Sequence, residues 1–160
     1  MELTLHTDYA LRVLIYLGLR SGKLCQIADI ATDYDISRNH LVKVVHRLAR
    51  GGFVRTFRGK GGGVMLARDP GAIGVGDVVR YAEGPMRLVE CFRAGDNRCV
   101  ITPACTLSAA LREAGESFLT VLDRYTIADL LGNRGRLARL LSISESARRN
   151  RASARRTMVT

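Results

Sequence analysis

Three cysteines lie close together in the second half of the chain. Cys91, Cys99 and Cys105 are separated by seven and five residues. Thiolates select zinc or iron–sulfur clusters. A structural zinc ion takes four ligands, commonly from closely spaced cysteine pairs, and all three histidines lie in the first third of the chain. The wide gaps therefore favour the larger iron–sulfur cluster, with a fourth position that is open or held by a ligand other than cysteine.

The third of these cysteines lies at the predicted start of a long helix. Thr102 and Pro103 are typical of an N-cap and a first helical position, so Cys105 is predicted to be the third residue of that helix. A helix N-terminus stabilises thiolates and other anions. A cluster with three thiolates and one oxygen ligand carries net negative charge, so the helix start suits it. The fourth cysteine, Cys25, is predicted to be a small buried hydrophobic residue.

The long helix carries apolar residues with heptad spacing. Gaps of four and three residues alternate along the series Leu107, Leu111, Ala114, Phe118, Val121 and Tyr125. Such a seam suits pairing with the same helix of a second copy, and it predicts a homodimer. Packing of this face against its own domain is the alternative.

The first third of the chain predicts the order of a helix-turn-helix motif. A first helix is expected over 8–20, with Thr7 as its N-cap and Asp8 beside its positive end. A second, short helix is expected over 24–33. Its apolar face is formed by Leu24, Ile27, Ala28 and Ala31. A third helix follows a tight turn and has Ser37 as its N-cap.

The third helix separates an apolar face from a polar one. The apolar residues follow the i, i+3, i+4, i+7 pattern and are predicted to face the core; they are Leu41, Val44, Val45 and Leu48. The N-terminal part of such a helix usually meets bases, where Asn bonds adenine and Lys reaches guanine, while the arginines suit phosphates. The candidate DNA-binding residues of this helix are Ser37, Arg38, Asn39, His40, Lys43 and Arg47.

A β-hairpin is predicted directly after this helix. Strands over 53–57 and 64–66 flank a tight turn in which Arg58 and Lys60 supply positive charge. Glycines in the turn let the backbone approach a groove, and a narrow minor groove attracts basic side chains. The turn lacks the Gly-x-x-x-x-Gly-Lys-Ser/Thr pattern of a phosphate-binding loop. Helix and hairpin together predict binding to double-stranded DNA.

The charge distribution points to the same kind of partner. The chain has 160 residues, 47% of them apolar, and a net charge of +10. The length favours one modest domain, or a small domain plus an oligomerisation element, and the charge favours a polyanionic partner. Segment 37–68 holds eight basic residues and no acid. The chain opens without the basic region of a signal peptide, and its longest apolar run, 13–19, is too short to span a membrane. A cytoplasmic protein with no membrane partner is expected.

The predicted fold class is mainly α with a small β-hairpin, a winged helix-turn-helix plus a long dimerisation helix. The predicted parts are the DNA-binding domain over 1–82, a cysteine-bearing cluster loop over 83–106, the dimerisation helix with a short C-terminal helix over 107–132, and a basic tail without fixed structure over 133–160.

Several stretches resemble the family of iron–sulfur transcription regulators that includes NsrR, IscR and RirA. In the DNA-binding half these stretches are 3–12, 37–43, 58–63 and 76–80. The NsrR-type, nitric-oxide-responsive branch is most similar, on Ser-Arg-Asn-His-Leu-Val-Lys at 37–43, Cys-Val-Ile-Thr-Pro-Ala-Cys at 99–105 and Leu-Asp-Arg-Tyr-Thr-Ile-Ala-Asp-Leu at 122–130. The resemblance covers about residues 1–142.

The resemblance implies a homodimeric repressor with crossed dimerisation helices and a 4Fe–4S rather than a 2Fe–2S cluster on Cys91, Cys99 and Cys105. An acidic residue near the N-terminus of the partner subunit is the implied fourth ligand, and Asp8 is at the matching position. IscR-like regulators have a histidine three residues after the third cysteine, where this chain has Ser108, which argues against that branch.

The leading functional interpretation is a repressor that nitric oxide releases from its operator. An iron- or redox-responsive regulator on the same scaffold is the alternative, because the seven-residue first gap also occurs in RirA-like regulators. An iron–sulfur enzyme lacks support, since no acid–base pair or cofactor loop accompanies the cysteines. A zinc- or thiol-based DNA-binding adaptor is a further alternative.

Overall fold

The computed structural model describes residues 2–59, 61–93, 95 and 97–141. Within these ranges the chain forms six α-helices and one hairpin: α1 (Leu5–Leu19), α2 (Ile27–Tyr34), α3 (Arg38–Arg50), β1 (Val54–Phe57), β2 (Gly63–Leu66), α4 (Val75–Glu83), α5 (Thr106–Leu122) and α6 (Arg134–Leu140). Short 3-10 turns lie at Pro70–Ala72, Glu90–Phe92, Thr102–Ala104 and Asp129–Leu131. The mainly helical class with a small hairpin is confirmed.

Helix α1 lies at the centre of the core and packs against both α3 and α4. Its apolar residues from Val13 to Leu17 are buried except Ile15, which is partly buried. The helix begins earlier than predicted, because Thr4 is the N-cap and its hydroxyl accepts a hydrogen bond from the Thr7 amide. The prediction of Thr7 as N-cap is therefore wrong: Thr7 is inside the helix and fully buried. Asp8 lies in the first turn, as predicted.

Helix α2 begins at Ile27, three residues later than predicted. The preceding chain is extended, and Cys25 exchanges two backbone hydrogen bonds of 2.9 Å with Val64 of the hairpin. The predicted apolar face is wrong in part, since Leu24 is exposed and Ile30 is the fully buried residue of this helix. Cys25 is buried, as predicted.

Helix α3 and the hairpin agree with the sequence predictions. Ser37 is the N-cap residue, and the four apolar residues Leu41, Val44, Val45 and Leu48 are buried. Strands β1 and β2 pair antiparallel from Val54 opposite Leu66 to Phe57 opposite Gly63. At Gly63 a side chain is excluded, because a Cβ atom would lie 2.7 Å from the Cys25 carbonyl oxygen. The close approach of the α2 segment to the hairpin therefore requires a glycine there.

The C-terminal third departs from the prediction at two points. Thr102–Ala104 forms a separate 3-10 turn, and α5 starts at Thr106 with Cys105 as its N-cap residue. Part of the predicted tail is helical: in α6, the Arg134 guanidinium donates to the Gly18 and Leu19 carbonyl oxygens at the end of α1 (3.1 and 2.8 Å). Residues 142–160 of that predicted tail lie outside the described residues.

The burial of the apolar face of α3 gives a direct stability test. Val45 is 2% exposed and Val42, on the same helix, is 45% exposed. Val45→Ala should lower the free energy of unfolding by about 1–3 kcal/mol, because it removes buried methyl groups and leaves a cavity. Val42→Ala is the matched control and should change it little. Equal effects in urea denaturation would contradict the orientation of α3.

Candidate DNA interface and cysteine connection

The exposed face of α3 presents the predicted DNA-binding side chains. Arg38, Asn39, His40 and Lys43 are all exposed, and they lie opposite the buried face of the same helix. Ser37 is exposed and precedes the helix. The first turn of α3 carries no acidic residue. Hydrogen-bond donors and an amide side chain are therefore presented together at the N-terminal end of this helix.

Helix α1 adds two polar residues to this surface that the sequence did not predict to lie there. His6 and Tyr9, together with His40 and Lys43, line a recess of about 210 Å³. The ring centroids of Tyr9 and His40 are 6.4 Å apart. Burial, and then the nearby Arg47 cation, lower the pKa of His6 although Glu83 opposes this effect. The signal available in the sequence was their spacing of three residues, which places both side chains on one face of α1.

Arg47 makes an intramolecular contact that the sequence did not predict. Its guanidinium donates to the Tyr81 carbonyl oxygen, and the Tyr81 hydroxyl donates to the Arg47 carbonyl oxygen, each at 3.0 Å. The guanidinium also lies over the Tyr81 ring, 5.7 Å from its centroid. Arg47 therefore joins α3 to α4, and its predicted phosphate contact stays a prediction.

The turn of the hairpin presents Arg58 to solvent. Arg58 is exposed and directly follows β1. Gly59 and Gly61 have φ values of 93° and 86°, which favour glycine. Gln26 donates to the Gly62 carbonyl oxygen, which ties the turn to the start of α2. Lys60, the other predicted residue of this turn, lies outside the described residues.

We call residues 84–105 the cysteine connection. Its three cysteines have free thiols; Cys91 and Cys105 are partly buried and Cys99 is exposed. The Cys91 thiol lies 3.6 Å from the Ser108 hydroxyl, and Cys105 is the N-cap residue of α5. Two thiols therefore lie at the N-terminal end of α5, where the helix dipole favours negative charge. This donor set has the soft ligands that an iron–sulfur cluster requires.

The predicted fourth ligand, Asp8, has a partner within its own helix. Its two carboxylate oxygens bind Arg12, with distances of 2.7 and 3.0 Å to the guanidinium nitrogens. In the part of the chain that the structure describes, no three His, Cys, Asp or Glu side chains form a metal-binding group. The single chain thus holds the predicted ligands on two elements, α1 and the cysteine connection, without assembling them.

A recognition helix with a buried apolar face, a hairpin after it and a basic exposed surface define a winged-helix DNA-binding protein. Residues 3–133 match the family model described as "Rrf2: Iron-dependent Transcriptional regulator". The chain belongs to this family of transcriptional regulators, as the sequence resemblance indicated.

Relatives and solved structures agree with this assignment. The chain is 49% identical over 146 residues to the HTH-type transcriptional regulator NsrR of Bacillus subtilis, covering 91% of this chain and 100% of the relative. It is 51% identical over 142 residues to the NsrR regulator of Geobacillus kaustophilus, covering 88% and 97%.

None of the helices in the described ranges is long and apolar enough to cross a membrane.

Two solved structures have the same fold. CymR, the global cysteine regulator of B. subtilis, superposes with a TM-score of 0.62 and 30% identity over 81% of this chain and 95% of that chain. IscR of T. potens superposes with a TM-score of 0.67 and 25% identity, over 83% and 88%.

Substitutions on α3 and in the hairpin turn should have different effects on DNA binding. Asn39→Ala or Lys43→Ala should cost about 1–3 kcal/mol at one base position of each half-site and relax the preference there. Arg58→Ala should weaken binding to all sequences and reduce the salt slope by about one unit. Selection of sites from a random duplex pool, followed by affinity measurements at several salt concentrations, checks both.

Arg124→Ala, which removes an exposed arginine outside segment 37–68, is the control for lost charge. Unchanged affinity and preference in both Asn39→Ala and Lys43→Ala would show that the recognition face is assigned wrongly.

Proposed function

We propose that this chain is a homodimeric repressor that responds to nitric oxide through a 4Fe–4S cluster held by Cys91, Cys99 and Cys105. The observation that carries the proposal is the set of three free thiols on one connection, two of them at the N-terminal end of α5. The similarity to regulators named NsrR supports nitric oxide as the signal. When bound, an iron–sulfur cluster supplies iron that nitric oxide can attack.

We place the fourth ligand, Asp8 of the partner subunit, across the dimer. A carboxylate is a hard and weak ligand for iron beside soft thiolates, so the position that it holds is the most open to attack. Helix α1, which carries Asp8, packs against α3 and α4 of its own subunit. With a cluster bound, Cys91, Cys99 and Cys105 of one chain and Asp8 of the other would join the cysteine connection to the partner's α1. Without that link, the spacing of the two recognition helices would change and the operator would be released.

The exposed apolar residues of α5 support dimerisation. One side of the helix packs toward its own domain through Gly115, Leu119 and Leu122. On the predicted seam, Leu107 is 63% and Val121 is 46% exposed, whereas Phe118 is partly buried. The seam is thus left largely uncovered in the single chain, and a second α5 covers such a stripe by interlocking side chains.

Cysteine variants test the metal site. Cys91→Ala, Cys99→Ala and Cys105→Ala should each abolish the brown colour of anaerobically purified protein, because each removes a thiolate. Cys25→Ala is the matched control and should retain the colour, since Cys25 is buried against the hairpin. Absorbance with iron and sulfide analysis provides the measurement. A colourless protein that contains zinc would contradict the proposal.

Anaerobic titration of the coloured protein with nitric oxide should bleach the chromophore and release operator DNA together. Asp8→Ala should keep the three thiolate ligands but change the spectrum and the rate of bleaching. Operator release on iron chelation, with no response to nitric oxide, would identify the iron-responsive regulator instead.

Substitutions on the seam test the dimer. Phe118→Asp should bury an unpaired charge in the interface and give a monomer or an aggregate. Because Phe118 also packs on its own domain, Val121→Asp is the cleaner variant and should give a folded monomer with little operator affinity. Leu140→Asp, at a 69% exposed leucine of α6 that lies outside the seam and the cysteine connection, is the matched control. If Val121→Asp sediments as a stable dimer, the seam is not the dimer interface.

A further inference from the structure

The last turn of α4 is hydrogen-bonded to α3. Arg47 and Tyr81 exchange two hydrogen bonds of 3.0 Å between the C-terminal half of α3 and α4. The Tyr81 ring also lies against the end of α3, where a Cβ atom on Gly51 would come within 2.7 Å of it. Phe53, at the start of the hairpin, packs edge-on to the same ring at 5.4 Å. Tyr81 therefore restrains the C-terminal end of the recognition helix.

The same turn of α4 is joined to α5 by an ion pair. Both guanidinium NH2 groups of Arg80 donate to the two carboxylate oxygens of Asp123 at 2.6 Å, and Asp123 is the C-cap residue of α5. The pair lies directly on the α4 backbone, because a Cβ atom on Gly76 would overlap the Asp123 carboxylate. This bidentate geometry fixes orientation as well as distance, so a movement of α5 is transferred to α4.

A third contact from this turn reaches the start of α1. Glu83 accepts hydrogen bonds from the Thr4 amide and hydroxyl at 2.6 and 3.0 Å. Burial alone raises the pKa of Glu83, but hydrogen bonds from Thr7 and Thr4 outweigh it and lower the pKa. The carboxylate thus stays charged at neutral pH and binds the N-terminus of the helix that carries Asp8.

The cysteine connection is docked on α5 through two of its side chains. Leu88 lies against α5 at Gly115, 3.5 Å from the position of a Cβ atom there. Arg112 of α5 lies over the Phe92 ring, 4.9 Å from its centroid. Leu88 and Phe92 flank Cys91 and line a cavity of about 570 Å³ between the end of α4 and α5. Leu88 and Phe92 therefore connect the neighbourhood of Cys91 to α5.

We propose that the last turn of α4 couples the cysteine connection to the recognition helix. In this proposal the Arg80–Asp123 pair transfers a movement of α5 to α4, and the Tyr81–Arg47 contact transfers it from α4 to α3. This inference rests on the proposed function, and it makes Tyr81 a positioning residue for α3. The path is a chain of packed and hydrogen-bonded contacts, in which the rigid α4 transfers a displacement of α5 to α3. It predicts that ligation by the cysteines changes the dynamics of α3 even without DNA.

The test compares operator affinity in the cluster-loaded and cluster-free forms of the full chain. Tyr81→Phe removes the hydrogen bond from the Tyr81 hydroxyl to the Arg47 carbonyl oxygen and keeps the ring. Asp123→Asn weakens the pair with Arg80. Each should reduce the loaded-to-free affinity ratio by about two- to thirtyfold. A merely structural role would lower both affinities alike and leave their ratio unchanged. Hydrogen exchange of amides 44–50 without DNA should lose its dependence on cluster loading in both variants.

Asp77→Asn is the matched control for Asp123→Asn. Asp77 is 4.0 Å from the same arginine and its side chain is 73% exposed, so the wild-type ratio should persist. A wild-type ratio in either Tyr81→Phe or Asp123→Asn overturns the inference, because the two contacts act in series. Equal affinities of both wild-type forms would overturn the proposed function itself, and the coupling with it.

Discussion

The burial of one face of α3 determines which side chains of this helix can reach DNA. Leu41, Val44, Val45 and Leu48 are each at most 2% exposed, and a rotation of the helix about its axis would return this apolar area to water. Tyr81 also opposes such a rotation, because it binds Arg47 near the C-terminal end of the helix. The polar face is therefore oriented by the core and by α4 before DNA is present.

The elements that the sequence predicted well are those determined by local pattern. The two faces of α3 follow directly from a 3.6-residue period, and the glycines after it end the helix and allow the hairpin turn. The start of α1 was misplaced because it depends on a residue far away in the sequence. Glu83, 79 residues later, accepts hydrogen bonds from Thr4, and this contact favours Thr4 over Thr7 as the N-cap residue of the helix.

The errors in the second half have the same kind of cause. Thr102 and Pro103 do begin a helical turn, but it ends at Ala104 as a 3-10 turn, so the typical start signal belongs to a shorter element than α5. Helix α6 was missed because its arginines suggested a solvated tail. Its first arginine instead caps the carbonyl end of α1, and Leu141 is buried just after it. Long-range contacts of charged side chains leave no periodic signal in a sequence.

Both ends of α1 are thus held by distant charged residues, Glu83 at the start and Arg134 at the end, so the position of Asp8 is fixed by its own subunit. Its carboxylate already forms an ion pair with Arg12, one turn along the helix. The three thiols lie on a separate element that is docked on α5. A rigid helix cannot deliver Asp8 to these thiols without breaking its contacts with α3 and α4. These contacts support the proposal that Asp8 acts as a ligand toward the thiols of a second subunit rather than toward those of its own chain.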